Sequence, residues 1–171
     1  MITRRHETLT GETGAVFSAC ERYRFLLWRK WADGPTLNFA MLNPSTADEI
    51  DNDPTVERCR VRAIRAGYGR LIVTNLFAWR ATDPKQLLAV DAPIQPADTL
   101  HNDRAILEAA KEAELVVCGW GNHGVLLGRS ATVLGTLREL MPDKLRCLAL
   151  TSKGEPWHPL YLSFNLQPVL F

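Results

Sequence analysis

The chain has 171 residues, 46% hydrophobic and 23% charged, with 20 Lys plus Arg against 19 Asp plus Glu. That length fits a single domain spanning 1–171, at roughly 100–200 residues per domain, and the composition excludes disordered and collagen-like chains. A net charge of +1 excludes a broad polybasic surface, though not a local basic groove, and no run approaches the roughly 18 apolar residues of a membrane span.

Residues 15–31, ending in Tyr23-Arg24-Phe25-Leu26-Leu27-Trp28, are rich in aromatic and β-favouring residues. They predict one or two strands before a turn at Asp33-Gly34-Pro35. Leu37 to Leu42 is a short apolar run stopped by Asn43-Pro44, the pattern of a buried strand entering a loop. Pro54 to Ala66 predicts a helix, with Pro in its first turn, Gly67 beyond its end and Asp53 as its N-cap. Arg70 to Leu76 predicts a second buried strand with Asn75 at its end. Residues 80–98 hold Pro84, Pro93 and Pro96 and predict a mostly irregular connection.

Leu100 to Ala113 predicts a helix, with Ile106, Leu107 and Ala110 on one stripe. A third strand is expected over Leu115 to Trp120, a helix over Val125 to Leu140 closed by Met141-Pro142, and a fourth strand over Arg146 to Leu150. Short apolar strands alternating with helices predict an α/β fold: a three-layer α/β/α sandwich on a central, mainly parallel four-stranded sheet, with an added N-terminal β element. Ligands of such sheets bind beyond the carboxyl ends of the strands, and polar residues concentrate there: Asn43-Pro44-Ser45-Thr46, Asn75, Gly119 to Gly124, and Thr151 to His158.

Cys20, Cys59, Cys118 and Cys147 lie far apart, without a Cys-x-x-Cys pair. They read as structural thiols of a reducing, cytoplasmic setting. The absence of an apolar stretch behind Arg4 and Arg5 predicts no secretory signal. Gly119 to Gly124 fits G-x-G-x-x-G, but the next strand ends at Thr151-Ser152-Lys153, where a dinucleotide site wants an acidic residue. The glycines therefore read either as a tight strand-to-helix turn or as a loop that lets a ligand approach, and no cofactor is expected.

Asn43 either closes its turn or offers an amide donor and acceptor to a ligand. Asp48, Asp51 and Asp53 suggest a general base or a metal site, but their spacing matches no ligand pattern and no metal is expected. His158, in a loop stiffened by Pro156 and Pro159, is a catalytic candidate, with His123 weaker. Arg58, Arg62 and Arg65 share a helix face that reads as solvated or as phosphate-binding, the solvated face being the expected one.

The segments Leu42-Asn43-Pro44-Ser45-Thr46-Ala47-Asp48, Asp53-Pro54-Thr55-Val56, Gly67-Tyr68-Gly69, Thr74 to Thr82, Gly119-Trp120-Gly121 and His158-Pro159-Leu160 together resemble the bacterial family catalogued as domain of unknown function 1643. The order of these motifs is also similar to that of the uracil-DNA glycosylase superfamily. There Met41-Leu42-Asn43-Pro44 resembles the motif whose Asn positions the attacking water, Val73-Thr74-Asn75-Leu76 the strand whose Asn contacts the base edge, and His158-Pro159-Leu160 the late motif whose His faces the base carbonyl. The chain departs from that pattern at Ser45, where Gly or Tyr is usual, and at Leu160, where Ser-Pro is usual.

The resemblance implies a nucleobase-recognising protein, an N-glycosidic hydrolase acting on a base in nucleic acid. Asn43 and His158 would be catalytic, with Asp48 as a candidate base. Pro44, Ser45, Asn75, Gly121, His123 and Lys153 would contact substrate, with Phe77 or Trp79 stacking on the base. A non-catalytic nucleic-acid or nucleotide-binding module, and a hydrolase of a small nucleoside-like metabolite, are the alternatives.

Overall fold

A computed structural model describes residues 1–83, 85–89 and 96–171. The chain forms β1 (Ile2–Thr8), β2 (Gly11–Phe17), β3 (Arg24–Lys30), β4 (Thr36–Met41), α1 (Pro54–Arg65), β5 (Arg70–Asn75), α2 (Gln86–Ala89), α3 (Pro96–Glu112), β6 (Leu115–Cys118), α4 (Arg129–Leu140), β7 (Leu145–Cys147) and β8 (Val169–Leu170). One eight-stranded sheet runs in the order β1-β2-β3-β5-β4-β6-β7-β8.

The expected four-stranded sheet is thus corrected to a mixed sheet in which antiparallel pairs outnumber parallel ones, four to three. The parallel pairs join β5 to β4, β4 to β6 and β6 to β7. The N-terminal strands are not a separate element, because β3 pairs with β5 and makes the meander β1-β2-β3 one wing of the sheet. β1 escapes a search for apolar runs because it is an edge strand, Ile-Thr-Arg-Arg-His-Glu-Thr, exposed along most of its length. Charged side chains there discourage edge-to-edge pairing with another chain.

Alternation along β4 sets the layers. Leu37, Phe39 and Met41 pack with Val56, Cys59 and Ala63 of α1 on one face. Ala40, and Leu42 just beyond the strand, pack with Ile106 and Ala110 of α3 and with Val133 and Leu137 of α4 on the other. Helices therefore cover both faces, as a sheet with parallel strands at its centre requires. α1 begins as its sequence predicts: the Asp53 side chain accepts from the Val56 amide at 2.8 Å, and Pro54 follows at the first helical position.

Three boundaries differ from expectation. α3 starts at Pro96, four residues before Leu100; the expected connection at Pro84 and Pro93 lies outside the described residues. The helix expected over Val125 to Leu140 is a 3₁₀ segment, Asn122–Gly128, then α4 from Arg129, broken by an extended Leu126 and a left-handed Leu127 (φ 53°). The fourth strand is only Leu145–Cys147, and the short β8 returns to pair with it. No helix among the described residues is long and apolar enough to cross a membrane.

Candidate functional site

Beyond the carboxyl ends of β4, β6 and β7 lies a cavity of about 510 Å³. The segment after β4 contributes Leu42, Asn43, Ser45 and Asp53. The segment after β6 contributes Trp120, Gly121, Asn122 and His123, and the loop after β7 contributes Thr151, Trp157, His158, Leu160 and Tyr161. This is the place where open sheets with parallel strands bind ligands, because the loops diverge there above a rigid floor.

The segment between β4 and α1 is held from below by two arginines of β3. Arg24 is 2% exposed and donates from Nη1 to the Ala47 carbonyl at 2.6 Å. Burial pushes its guanidinium down to about 10, which leaves it cationic at neutral pH. Arg29 donates through Nη2 to the Asp48 and Asp51 carbonyls at 2.6 and 3.1 Å, and through Nε to Asn52 Oδ1 at 2.8 Å. Above this support, Asn43 donates both amide hydrogens to main-chain carbonyls, of Pro44 at 3.0 Å and Ala81 at 2.8 Å. Its Nδ2 is used up and the amide cannot flip without losing both bonds, so Oδ1 is the acceptor this lining residue has left to offer.

The late loop is stitched to the segment after β6. Gly121 donates its N–H to the Pro156 carbonyl at 2.8 Å, and Trp157 donates to the Ala149 carbonyl, at the start of the same late loop, at 2.8 Å. Gly121 has φ +68°, a left-handed conformation that favours glycine. A Cβ at Gly119 would lie 2.9 Å from Pro159 Cδ, so a larger residue there would push the His158 loop away. The G-x-G-x-x-G run therefore closes a tight turn into a kinked 3₁₀ segment and opens no α-helix for a dinucleotide phosphate.

His158 starts the short 3₁₀ turn Pro159–Tyr161, and its Nδ1 accepts from the Leu160 amide at 3.3 Å. Burial pushes the imidazole down to about 4, with the nearby Asp53 carboxylate opposing that shift. The ring is neutral at pH 7, and with Nδ1 accepting, its one proton sits on Nε2. The cavity thus has an oriented acceptor, Asn43 Oδ1, and a neutral ring N–H donor, with the Trp157 and Tyr161 rings at its mouth, 44% and 76% exposed.

A family model matches residues 24–160. The chain belongs to the family described as protein of unknown function DUF1643. No curated protein matches it, and no solved structure does.

In this DUF1643 chain the cavity gathers five of the residues singled out from sequence: Asn43, Ser45, Gly121, His123 and His158. The others stand apart from its lining. Pro44 contributes a carbonyl, to Asn43 and to the Ala81 amide. Asp48 folds onto its own turn and accepts from the Ile50 and Asp51 amides at 2.8 Å. Burial raises its carboxyl, but those amides, with Arg29 and Arg80, outweigh it and hold the group below the usual range. Asn75 is 3% exposed at the end of β5, and Phe77 is fully buried against α3 and α4. Trp79 packs edge-on against Tyr23 at 5.3 Å between ring centroids. Lys153 is exposed on the turn that Thr151 closes.

Asp53, read from sequence as a cap, is also a carboxylate of the cavity wall. Trp120, Asn122, Thr151 and Trp157 lie in the rim segments read from sequence but had no role of their own there, and Tyr161 lies just beyond them. The signal for Trp120 was its place inside the glycine run, and for Trp157 its place beside His158. Among the described residues no three His, Cys, Asp or Glu side chains group as metal ligands.

The arginine face of α1 is corrected too. Arg58 donates to the Pro159 and Leu162 carbonyls, and Arg62 donates from Nη2 to those of Leu162 and Ser163 at 2.9 Å. The face expected to be solvated instead seats the chain that follows His158.

Proposed function

We propose that this cavity binds a nucleobase and that the chain hydrolyses the N-glycosidic bond joining it to its sugar. The observation that carries this reading is the pairing of Asn43 Oδ1, left free by two carbonyl-bound amide hydrogens, with the neutral His158 imidazole in one cavity. A water donating to Asn43 Oδ1 attacks the sugar C1′ and forms the new C–O bond. The C1′–N bond breaks, and its electron pair leaves on the base. His158 Nε2–H donates to the base carbonyl where that charge collects, and the Asp53 carboxylate offsets positive charge developing on the sugar. The water's proton ends on the base, so the products are free base and a sugar hydroxyl.

Three further points support the reading. The motif order resembles that of uracil-DNA glycosylases. The parallel pairing β5-β4-β6-β7 suits such a fold. Trp157 and Tyr161 offer exposed faces on which an extruded base can stack. The four cysteines carry free thiols, which suits a cytoplasmic enzyme.

A second reading, hydrolysis of a small nucleoside-like metabolite, is favoured by one observation: among the described residues no Lys or Arg lines the cavity, whereas a nucleic-acid backbone is usually met by several. Free-base release, followed by mass spectrometry on uracil-containing single- and double-stranded DNA and on free nucleosides, decides. Release from DNA that disappears in Asn43→Ala is the expected result. Release from nucleosides alone selects the second reading, and release from neither class sinks both.

A further inference from the structure

Toward the amino ends of β4 and β6, α1, the start of β6 and the chain after His158 enclose a second cavity, of about 230 Å³. Its floor is apolar, formed by Leu37, Phe39, Leu115 and Leu148. Arg62 and Arg65, with the Phe164 ring stacked on them, form one wall, and Leu166, Gln167 and Pro168 complete the lining.

Three guanidiniums crowd this wall. Arg58, Arg62 and Arg65 lie 4.2, 5.0 and 4.6 Å from the centroid of the single Phe164 ring. None is within ion-pair distance of a carboxylate among the described residues, whereas Arg60 on the same helix is paired with Glu57 at 2.8 Å. Arg62 is only 7% exposed, and its Nε–H is buried without a hydrogen-bond partner. Stacking on an aromatic face offsets part of the cost of such a cluster, but the guanidiniums still bring positive charge without a counter-charge to the wall of a cavity with an apolar floor, where such a charge is costly.

We propose that this cavity is a binding site for a small organic oxyanion, its carboxylate or phosphate group on Arg62 and Arg65 and its apolar body on the Leu37–Phe39 floor. The anion supplies the counter-charge that the protein withholds, and the apolar floor selects against a bare inorganic ion. The volume lies below the roughly 300–1,000 Å³ of drug-sized pockets, which fits a small metabolite. Phe164, Leu166, Gln167 and Pro168 of its lining lie beyond residues 24–160, so the site is a feature of this chain over and above the part that the family model covers.

The test is calorimetric titration of the full chain with phenyl phosphate, benzoate and inorganic phosphate. Phenyl phosphate and benzoate bind saturably, and inorganic phosphate binds more weakly. Arg65→Gln, which removes a charge but no hydrogen bond to the following chain, weakens aryl-anion binding by at least about tenfold. Leu166→Trp fills the mouth from an exposed position and abolishes binding while the melting temperature holds. Binding survives in Asn43→Ala, which separates this cavity from the first. Absence of saturable binding overturns the proposal. So does equal affinity for inorganic and phenyl phosphate, or binding lost in Asn43→Ala and retained in Arg65→Gln.

Discussion

The two ends of α1 face different problems. At its N-terminus, the cavity after β4 presents Asn43, His158 and the Asp53 carboxylate, and the Asn43 and His158 side chains are oriented by main-chain partners. At its C-terminus, the smaller cavity has two arginines on its wall and, among the described residues, no carboxylate. The first site has its donors and acceptors assigned before a ligand arrives, and the second has a charge that a ligand must complete. Preset groups suit a reaction in which charge develops at a known atom, whereas an uncompensated cation suits retention of an anion.

The largest expected effects fall on the first cavity. His158→Ala removes the ring donor and lowers kcat for base release by about 10²–10³-fold, the cost of losing one oxyanion-type donor. A loss equally large in Arg65→Gln would erase the contrast between the two ends. Next comes the support beneath the first cavity. Arg24→Met keeps the bulk but leaves the Ala47 carbonyl without its donor, and chemical denaturation should register a loss of about 1–3 kcal/mol. Asp53→Ala removes the α1 cap and costs about 1 kcal/mol of stability, with base release falling further than that because the same carboxylate lines the cavity.

A further effect is a pH dependence. His158 is held down to about 4 when folded and titrates near 6.5 when unfolded. Between those values the unfolded chain binds more protons, so this residue's contribution to stability is complete above about 6.5 and is lost as pH falls toward 4. Denaturant midpoints measured from pH 7 to pH 4 should fall less steeply in His158→Gln than in the wild-type chain.

Much of the fold could be read from apolar runs and caps. β4, α1 and β5 lie within a residue of the expected limits because each is a buried run or stripe bounded by Pro, Gly or a capping Asp. β1 was illegible because an edge strand needs no apolar face. The break at Leu126 and Leu127 runs into Gly128, left-handed at the N-cap of α4 (φ +68°), so the 3₁₀ segment and the helix are separate elements where the apolar pattern reads as one.

In the first cavity, Asn43, Gly121 and His158 were legible because turn residues at strand ends mark a rim. Phe77 and Trp79 belong to the same rim in sequence but turn into the core, a choice made by α3, α4 and Tyr23, which lie far off in the chain. Arg24 and Arg29 looked like ordinary strand residues, since nothing local tells a buried arginine from an exposed one until the carbonyls it serves, some 20 residues on, are placed.

The central claim is that the first cavity presents a donor set in advance, and nitrogen NMR of the His158 ring across pH 4 to 8 tests it most directly. The account predicts a neutral ring with its proton on Nε2 throughout the neutral range, titrating only near pH 4. A ring that titrates near its ordinary value of about 6.5, or one that carries its proton on Nδ1, would contradict it.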